Sequence, residues 1–245
     1  MQYKAVIFDM DGTILDTAND LTSSVNYAMG LCGHKHDYVR ADGMRLFGSG
    51  VHTALQRALA MEAGENDPAR LRRIGSAEMM TVPGIDEAEV ARIEEVFRPF
   101  YLEHSRDETG PYDGIMDLLY ALREKGIRTA VVSNKPDPAV KKLAADCFEN
   151  LFDAAAGEQS GIRRKPAPDM VEAVLKDFGI AAEEALYIGD TEIDVQTAEN
   201  TGMPCVCVSW GFRPVDFLES LGPFAIIDSP MQLLDLLSKL FCLSI

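Results

Sequence analysis

Lys4-Ala-Val-Ile-Phe8, running directly into Asp9-Met-Asp11-Gly12-Thr13, is the stretch that decides the fold. The first part is β-rich and almost wholly apolar, the pattern of a parallel strand covered on both faces. It ends on two carboxylates and a glycine. Open α/β sheets bind their ligands beyond the carboxyl ends of the strands, so this is where a site is expected. Strand-like extension through Asp9 and Asp11 points both carboxylates the same way, over one small volume. A plain turn is the alternative, because Asp and Gly are common turn residues. A calcium loop does not fit: the EF-hand pattern needs an acid or Asn at Thr13, Gly at Ile14 and Glu at Asp20.

Working outward, further apolar runs at 128–133, 152–156, 185–189, 204–208 and 224–227 join 4–8 as expected strands. Helical periodicity fills 114–125, 137–147, 168–178, 192–201 and 231–241, and Gly126, Gly179 and Gly202 stand where helices stop. The alternation predicts an α/β fold with a doubly wound, parallel, Rossmann-like sheet. From about residue 17 to about 95 the rhythm breaks. That interval holds helical segments at 19–31, 51–62 and 87–103 but no convincing strand. A βαβ crossover needs about a dozen residues, so the excess is read as a small all-helical cap inserted after the first strand. The expected domains are 1–16 plus 96–245 for the core and 17–95 for the cap. Residues 62–86, with Gly64, Asn66, Pro68, Pro83 and Gly84, are the expected irregular region.

Composition bounds the function. The chain has 245 residues, 47% hydrophobic and 25% charged, which excludes wholesale disorder and fibrous repeats. With 23 Lys+Arg against 39 Asp+Glu the net charge is −16, and so acidic a surface repels phosphate backbones and anionic lipid. Neither a nucleic-acid nor a membrane partner is expected. No signal peptide or apolar span is evident, and five scattered cysteines argue for reduced thiols in a cytoplasmic protein. Cys205 and Cys207 fall on one face of a strand and are read as core. Cys242-Leu-Ser-Ile245 has CaaX form, but Ser is a poor aliphatic position and Lys239 is the only basic residue nearby, so no prenylation is expected. His34-Lys-His36 lacks a clear third metal ligand and is read as exposed loop.

Four segments, in order, carry a resemblance: Phe8-Asp-Met-Asp-Gly-Thr-Ile-Leu-Asp16, Val132-Ser133-Asn134-Lys135, Lys165-Pro166-Ala-Pro168 and Ile188-Gly189-Asp190-Thr-Glu-Ile-Asp194. Together they resemble the motifs of the haloacid-dehalogenase-like hydrolase superfamily, in its phosphoglycolate-phosphatase-like branch. The resemblance implies a Mg²⁺-dependent phosphatase acting on a small phosphomonoester, with 2-phosphoglycolate one candidate, through an aspartyl-phosphate. Asp9 is then the nucleophile and Asp11 the general acid, later the base. Ser133, Asn134 and Thr13 hold the phosphoryl group, and Lys165 neutralises charge on it and on Asp9. Asp9 and Asp190 carry Mg²⁺ with the backbone carbonyl of Asp11, while Asp194 either supports the metal from behind or closes a capping box with Thr191.

The cap follows the first motif, and relatives with an all-helical cap there act mainly on small soluble molecules. Arg45-Leu-Phe-Gly48-Ser49-Gly50 resembles the segment that faces the catalytic pocket in phosphoglycolate phosphatases, where Arg45 meets a substrate carboxylate and Gly48, Ser49 and Gly50 approach the substrate; a turn preceding a helix is the alternative. Residues 62–86 are longer than in typical phosphoglycolate phosphatases, which keeps other substrates open. The remaining alternatives are a pyrophosphatase, a nucleotide or sugar-phosphate phosphatase, a β-phosphoglucomutase-like phosphotransferase, and a non-catalytic phosphate-binding protein.

Overall fold

The structure, a computed structural model, describes residues 3–76, 79–80 and 82–242. Residues 243–245 of the CaaX-like end lie outside the described residues. The chain forms two compact units, one of residues 17–110 and the other from the chain before and after it.

In the core unit, β1 (Ala5–Phe8) is followed by the two-residue β2 (Leu15–Asp16), and the chain returns from the cap through β3 (Gly110–Pro111). Then come β4 (Arg128–Pro136), β5 (Ala154–Glu158), β6 (Ala185–Gly189), β7 (Cys205–Val208) and β8 (Ala225–Ile227). Six of them form one parallel sheet in the order β5-β4-β1-β6-β7-β8, the doubly wound arrangement the sequence predicts. The chain leaves β1 toward β4 and β5, then crosses to β6 on the other side. A crevice at that reversal is where such sheets bind ligands. Register does the placing. Phe8 lies opposite Val131 on one side and Ile188 on the other, so the residues that follow these three emerge together at one edge.

Side-chain alternation builds two cores. Val6, Phe8, Val131, Leu186 and Ile188 point to one face, with Leu118 and Leu119 of a helix at Ile115–Glu124 and Val140 of another at Asp137–Cys147. Ala5, Ile7, Ala130, Val132 and Tyr187 point to the other, under helices at Asp169–Phe178 and Glu192–Thr201. Cys205 and Cys207 both belong to this second cluster, as their spacing predicts. Each fully buried aliphatic or aromatic side chain here contributes about 1.5–3 kcal/mol relative to exposure.

The cap unit is helical: α1 (Ala18–Leu31), α2 (Arg40–Leu46), α3 (Val51–Glu62), α4 (Pro68–Arg73) and α5 (Glu87–His104). Asp67 accepts from the Ala69 N–H at 2.9 Å and Asp86 from the Ala88 N–H at 3.0 Å, capping α4 and α5. Two expectations are corrected. Residues 62–86 contain α4, a helix of six residues and so too short to show periodicity. The second domain boundary falls at 110 rather than 95. α5 crosses position 95 without a break, burying Val90, Ile93 and Phe97. Beyond it, buried Asp20 of α1 accepts from the backbone N–H groups of Glu108 (3.0 Å) and Thr109 (2.9 Å) and from the Thr109 hydroxyl (2.7 Å). That clasp keeps the chain with the cap to its last residue. On the core side the Tyr112 N–H donates to the Ile14 carbonyl at 3.2 Å, so the departing and returning strands lie next to each other.

Arg57 of α3 is fully buried. Its guanidinium donates to the carbonyls of Leu46 (2.8 Å) and Phe47 (3.3 Å) at the end of α2, and to those of Leu71 (2.9 Å), Arg72 (3.3 Å) and Ile74 (3.0 Å) at the end of α4. One cation thus meets carbonyls at the negative dipole ends of two helices. Among the described residues no helix is long and apolar enough to cross a membrane.

Candidate active site

Asp9 follows β1, Ser133 lies near the end of β4, and Asp190 follows β6; the register between these strands brings all three to one edge. Lys165 comes from the loop before the Asp169–Phe178 helix, and the Asn134 side chain holds that loop. The Lys165 N–H donates to Asn134 Oδ1 at 2.8 Å and Asn134 Nδ2 donates to the Lys165 carbonyl at 3.0 Å. Asn134 therefore positions Lys165, a role the sequence reading did not assign to it.

Lys165 is 4% exposed and donates from Nζ to Asp9 Oδ1 (2.6 Å), Asp194 Oδ1 (2.9 Å) and the Tyr187 hydroxyl (3.0 Å). An ammonium has three donors, and all three are used. Burial pulls this lysine down, but the carboxylates of Asp194 and Asp9 outweigh it and hold the group well above its ordinary value, so it stays charged. Tyr187 had no place in the sequence reading. The available signal was a phenol inside an otherwise apolar, fully buried strand, where its hydroxyl needs a partner.

Asp194 closes the capping box with Thr191 and also reaches Lys165. Oδ2 accepts from the N–H groups of Asp190 (3.2 Å) and Thr191 (3.1 Å) and from the Thr191 hydroxyl (2.7 Å), which starts the Glu192–Thr201 helix, while Oδ1 anchors Lys165.

Asp190 is completely buried, its Oδ1 accepting from the Thr13 hydroxyl at 2.9 Å and its Oδ2 from the Phe212 N–H at 2.7 Å. The Trp210 indole donates to the Thr13 carbonyl at 3.0 Å and ties the loop after β7 to the loop after β1. Gly12 and Gly211 press on Asp190 so closely that a Cβ on either would collide with its carboxylate, and Gly12 has a φ of +84° besides. Arg213 closes the loop with a bidentate pair to Glu192, at 2.7 and 2.9 Å.

One carboxylate oxygen each from Asp9, Asp190 and Asp194 lies within 4.8 Å of the others, all three residues being buried. Burial raises Asp9, and with Asp194 and Asp11 adding to it and Lys165 opposing, its carboxyl is pushed up to about 7. Burial, then the charges of Asp194 and Asp9, raises Asp190 well above the carboxylate range. Buried like charges so close need cations, and an oxygen-only set of this kind suits a hard divalent ion.

Asp11 stands apart from this trio. Its Oδ1 is buried, lies 3.2 Å from Lys135 Nζ and accepts no hydrogen bond among the described residues. Strand geometry ends at Phe8, so the strict alternation expected through Asp11 does not extend that far. Ser133 is buried and its hydroxyl accepts from the Lys135 N–H at 3.2 Å.

Within the cap, Arg45 donates to the Asn66 carbonyl at 2.7 Å and lies 3.8 Å from Asp42. Ser49 Oγ accepts from Arg57 at 3.0 Å, and Gly48 and Gly50, with φ of 101° and 93°, shape the turn into α3. His34 is bound on both ring nitrogens, by Glu62 and Glu89 at 2.8 Å each, and is only partly exposed rather than open loop.

The family model of haloacid dehalogenase-like hydrolases matches residues 6–208. Phosphoglycolate phosphatase of Escherichia coli K12 is 30% identical over 241 residues, covering 94% of this chain and 91% of its own. N-acetylmuramic acid 6-phosphate phosphatase of Pseudomonas aeruginosa is 28% identical over 250 residues, covering 99% and 98%. A crystal structure from Lactobacillus delbrueckii subsp. bulgaricus, a candidate phosphoglycolate phosphatase, superimposes with a TM-score of 0.92 at 49% identity, covering 95% of this chain and 97% of that one.

Proposed function

The chain belongs to the haloacid dehalogenase-like hydrolases and is a phosphatase, and from that premise we propose that it is Mg²⁺-dependent, acts on small phosphomonoesters through an aspartyl-phosphate, and has 2-phosphoglycolate as its first candidate substrate. The observation that carries the reading is Lys165, buried and charged between Asp9 and Asp194, beside Asp190.

In this reading Asp9 attacks phosphorus, forming a new O–P bond as the ester P–O bond breaks, and Asp11 gives its proton to the leaving oxygen. Asp11, now a carboxylate, takes a proton from water; the water oxygen attacks phosphorus, the Asp9–phosphorus bond breaks, and inorganic phosphate leaves. Lys165 and Ser133 hold the phosphoryl oxygens as charge gathers on them. Asp9, Asp190 and the Asp11 carbonyl hold Mg²⁺ with Asp194 behind them, and the bound ion supplies charge neutralisation at the phosphoryl oxygens. Asp194 and Tyr187 keep Lys165 aimed at Asp9, and Asn134 fixes its backbone.

Phosphate release from 2-phosphoglycolate, N-acetylmuramic acid 6-phosphate, pyrophosphate and sugar phosphates, with Mg²⁺ and with EDTA, tests this. Turnover that needs the metal and disappears in Asp9→Asn is expected. Full turnover by Asp9→Asn or in EDTA would sink the mechanism, and a first rank for another ester would replace 2-phosphoglycolate.

A further inference from the structure

We propose that Arg213, through its buried pair with Glu192, is a positioning residue that sets how tightly the Asp190 carboxylate holds a divalent cation. The inference rests on the Mg²⁺-dependent reading above and concerns a loop to which that reading gives no task.

Residues 209–214 run from the end of β7 to a short helix at Val215–Ser220. Three successive residues of this loop act on Asp190. The Trp210 indole donates to the Thr13 carbonyl at 3.0 Å, and the Thr13 hydroxyl donates to Asp190 Oδ1 at 2.9 Å. A Cβ on Gly211 would stand 2.3 Å from both Cβ and Oδ2 of Asp190, so the loop backbone itself packs on the carboxylate. The Phe212 N–H donates to Asp190 Oδ2 at 2.7 Å. Each oxygen of Asp190 is thus set by a donor that depends on this loop, one directly and the other through Thr13.

Arg213 comes next in the chain, and Glu192 stands two residues after Asp190. Their side chains are 1% and 16% exposed and meet fork to fork at 2.7 and 2.9 Å. The pair therefore grips the chain on both sides of the Phe212–Asp190 hydrogen bond. Stability alone does not account for it, because apolar residues of like volume often hold a fold as well as a buried ion pair does. What apolar contacts lack is direction. A guanidinium fork admits one orientation of its carboxylate, and so holds the neighbouring backbone to hydrogen-bond accuracy.

Mg²⁺ rewards that accuracy, since it demands near-octahedral oxygens at about 2.0–2.1 Å. Groups that orient a metal-binding carboxylate from behind change affinity by about 10–100-fold when they are removed. Arg213 also lies within the field of Asp190 and Asp194, where its charge by itself opposes a metal and that of Glu192 offsets it. Charge and positioning therefore lead to different outcomes when the pair is taken apart.

The test measures Mg²⁺ binding to the full chain without turnover. Melting temperatures over a range of Mg²⁺ concentrations, followed by the emission of Trp210, the chain's one tryptophan, give Kd relative to each variant's own metal-free value. The double variant Glu192→Gln/Arg213→Met removes the pair and leaves the local charge unchanged, so it decides the matter. Its Kd should rise about tenfold or more. Arg213→Met alone should also raise Kd, although charge alone would lower it. Arg213→Lys keeps the charge and loses the fork, and should raise Kd by about threefold; it serves where the double variant does not fold. An unchanged Kd, whatever the metal-free melting temperature, would overturn the inference, because that is what a pair serving only stability gives. Opposite shifts in Arg213→Met and Glu192→Gln, with a wild-type Kd in the double variant, would overturn it in favour of charge. A wild-type melting temperature that ignores Mg²⁺ would overturn the Mg²⁺-dependent reading, and the inference with it.

Discussion

Lys165 in the core unit sits among charges; Arg57 in the cap sits among dipoles. Both are buried, at 4% and 0% exposure. The lysine is held by two carboxylates and a phenol, the arginine by carbonyls at two helix ends and a serine hydroxyl. The difference teaches what each is for. In the proposed mechanism the attacking carboxylate loses its charge to the new bond, so an ammonium beside it can pass from one anion to the next as the reaction proceeds. Carbonyls at helix ends never change charge, and a planar guanidinium that meets several of them fixes those ends for good.

The contrast can be broken in order of expected effect. Asp9→Asn should cost at least about 10⁴-fold in kcat, about 5.5 kcal/mol of barrier, in steady-state phosphate release. Lys165→Met should cost about 10³-fold in kcat, as expected for removing a preorganised charge that faces the transition state. Arg57→Met should act instead on stability, by about 3 kcal/mol in urea denaturation, because buried carbonyls lose their donor. An unchanged urea midpoint would end the view of Arg57 as a structural clamp.

The smallest effect belongs to His34. Burial lowers this imidazole, but hydrogen bonds to Glu89 and Glu62 outweigh it and raise the group above its ordinary 6.5. A raised folded-state value means stabilisation that is complete below the unfolded value and fades as pH climbs through the folded one. The melting temperature of the wild type should therefore exceed that of His34→Gln below pH 6.5, and the gap should narrow as the pH rises above that. The three groups are partly exposed, so the difference should stay below about 1 kcal/mol.

Legibility followed the range of the interactions. Helices at Val51–Glu62, Asp137–Cys147 and Glu192–Thr201 stand where periodicity puts them, and the parallel strands fall within three residues of their expected ends. Those patterns are local. The helices at Arg40–Leu46, Pro68–Arg73 and Val215–Ser220 run six or seven residues, less than the two turns a period needs, and did not show in the sequence. Asp9 and Asp11 could be picked out because they stand at a strand end, and Ser133, Lys165 and Asp190 because the segments that hold them resemble family motifs. Tyr187, Asn134 as the holder of Lys165, and Arg57 could not, because their meaning lies in partners that only the folded chain supplies.

The Asp20 clasp has a consequence in polymer terms. β1 must pair with β4 across an insertion spanning residues 17–110, and closing a flexible loop of that length would cost about 4 kcal/mol of chain entropy. With Asp20 of α1 holding Glu108 and Thr109, the ends of the insertion are already neighbours once the cap has folded. The connection left for the sheet to span is then residues 9–16 and 111–127. A cap that forms first thus shortens the loop that the β1–β4 pairing must close, and places that saving under the control of one buried carboxylate.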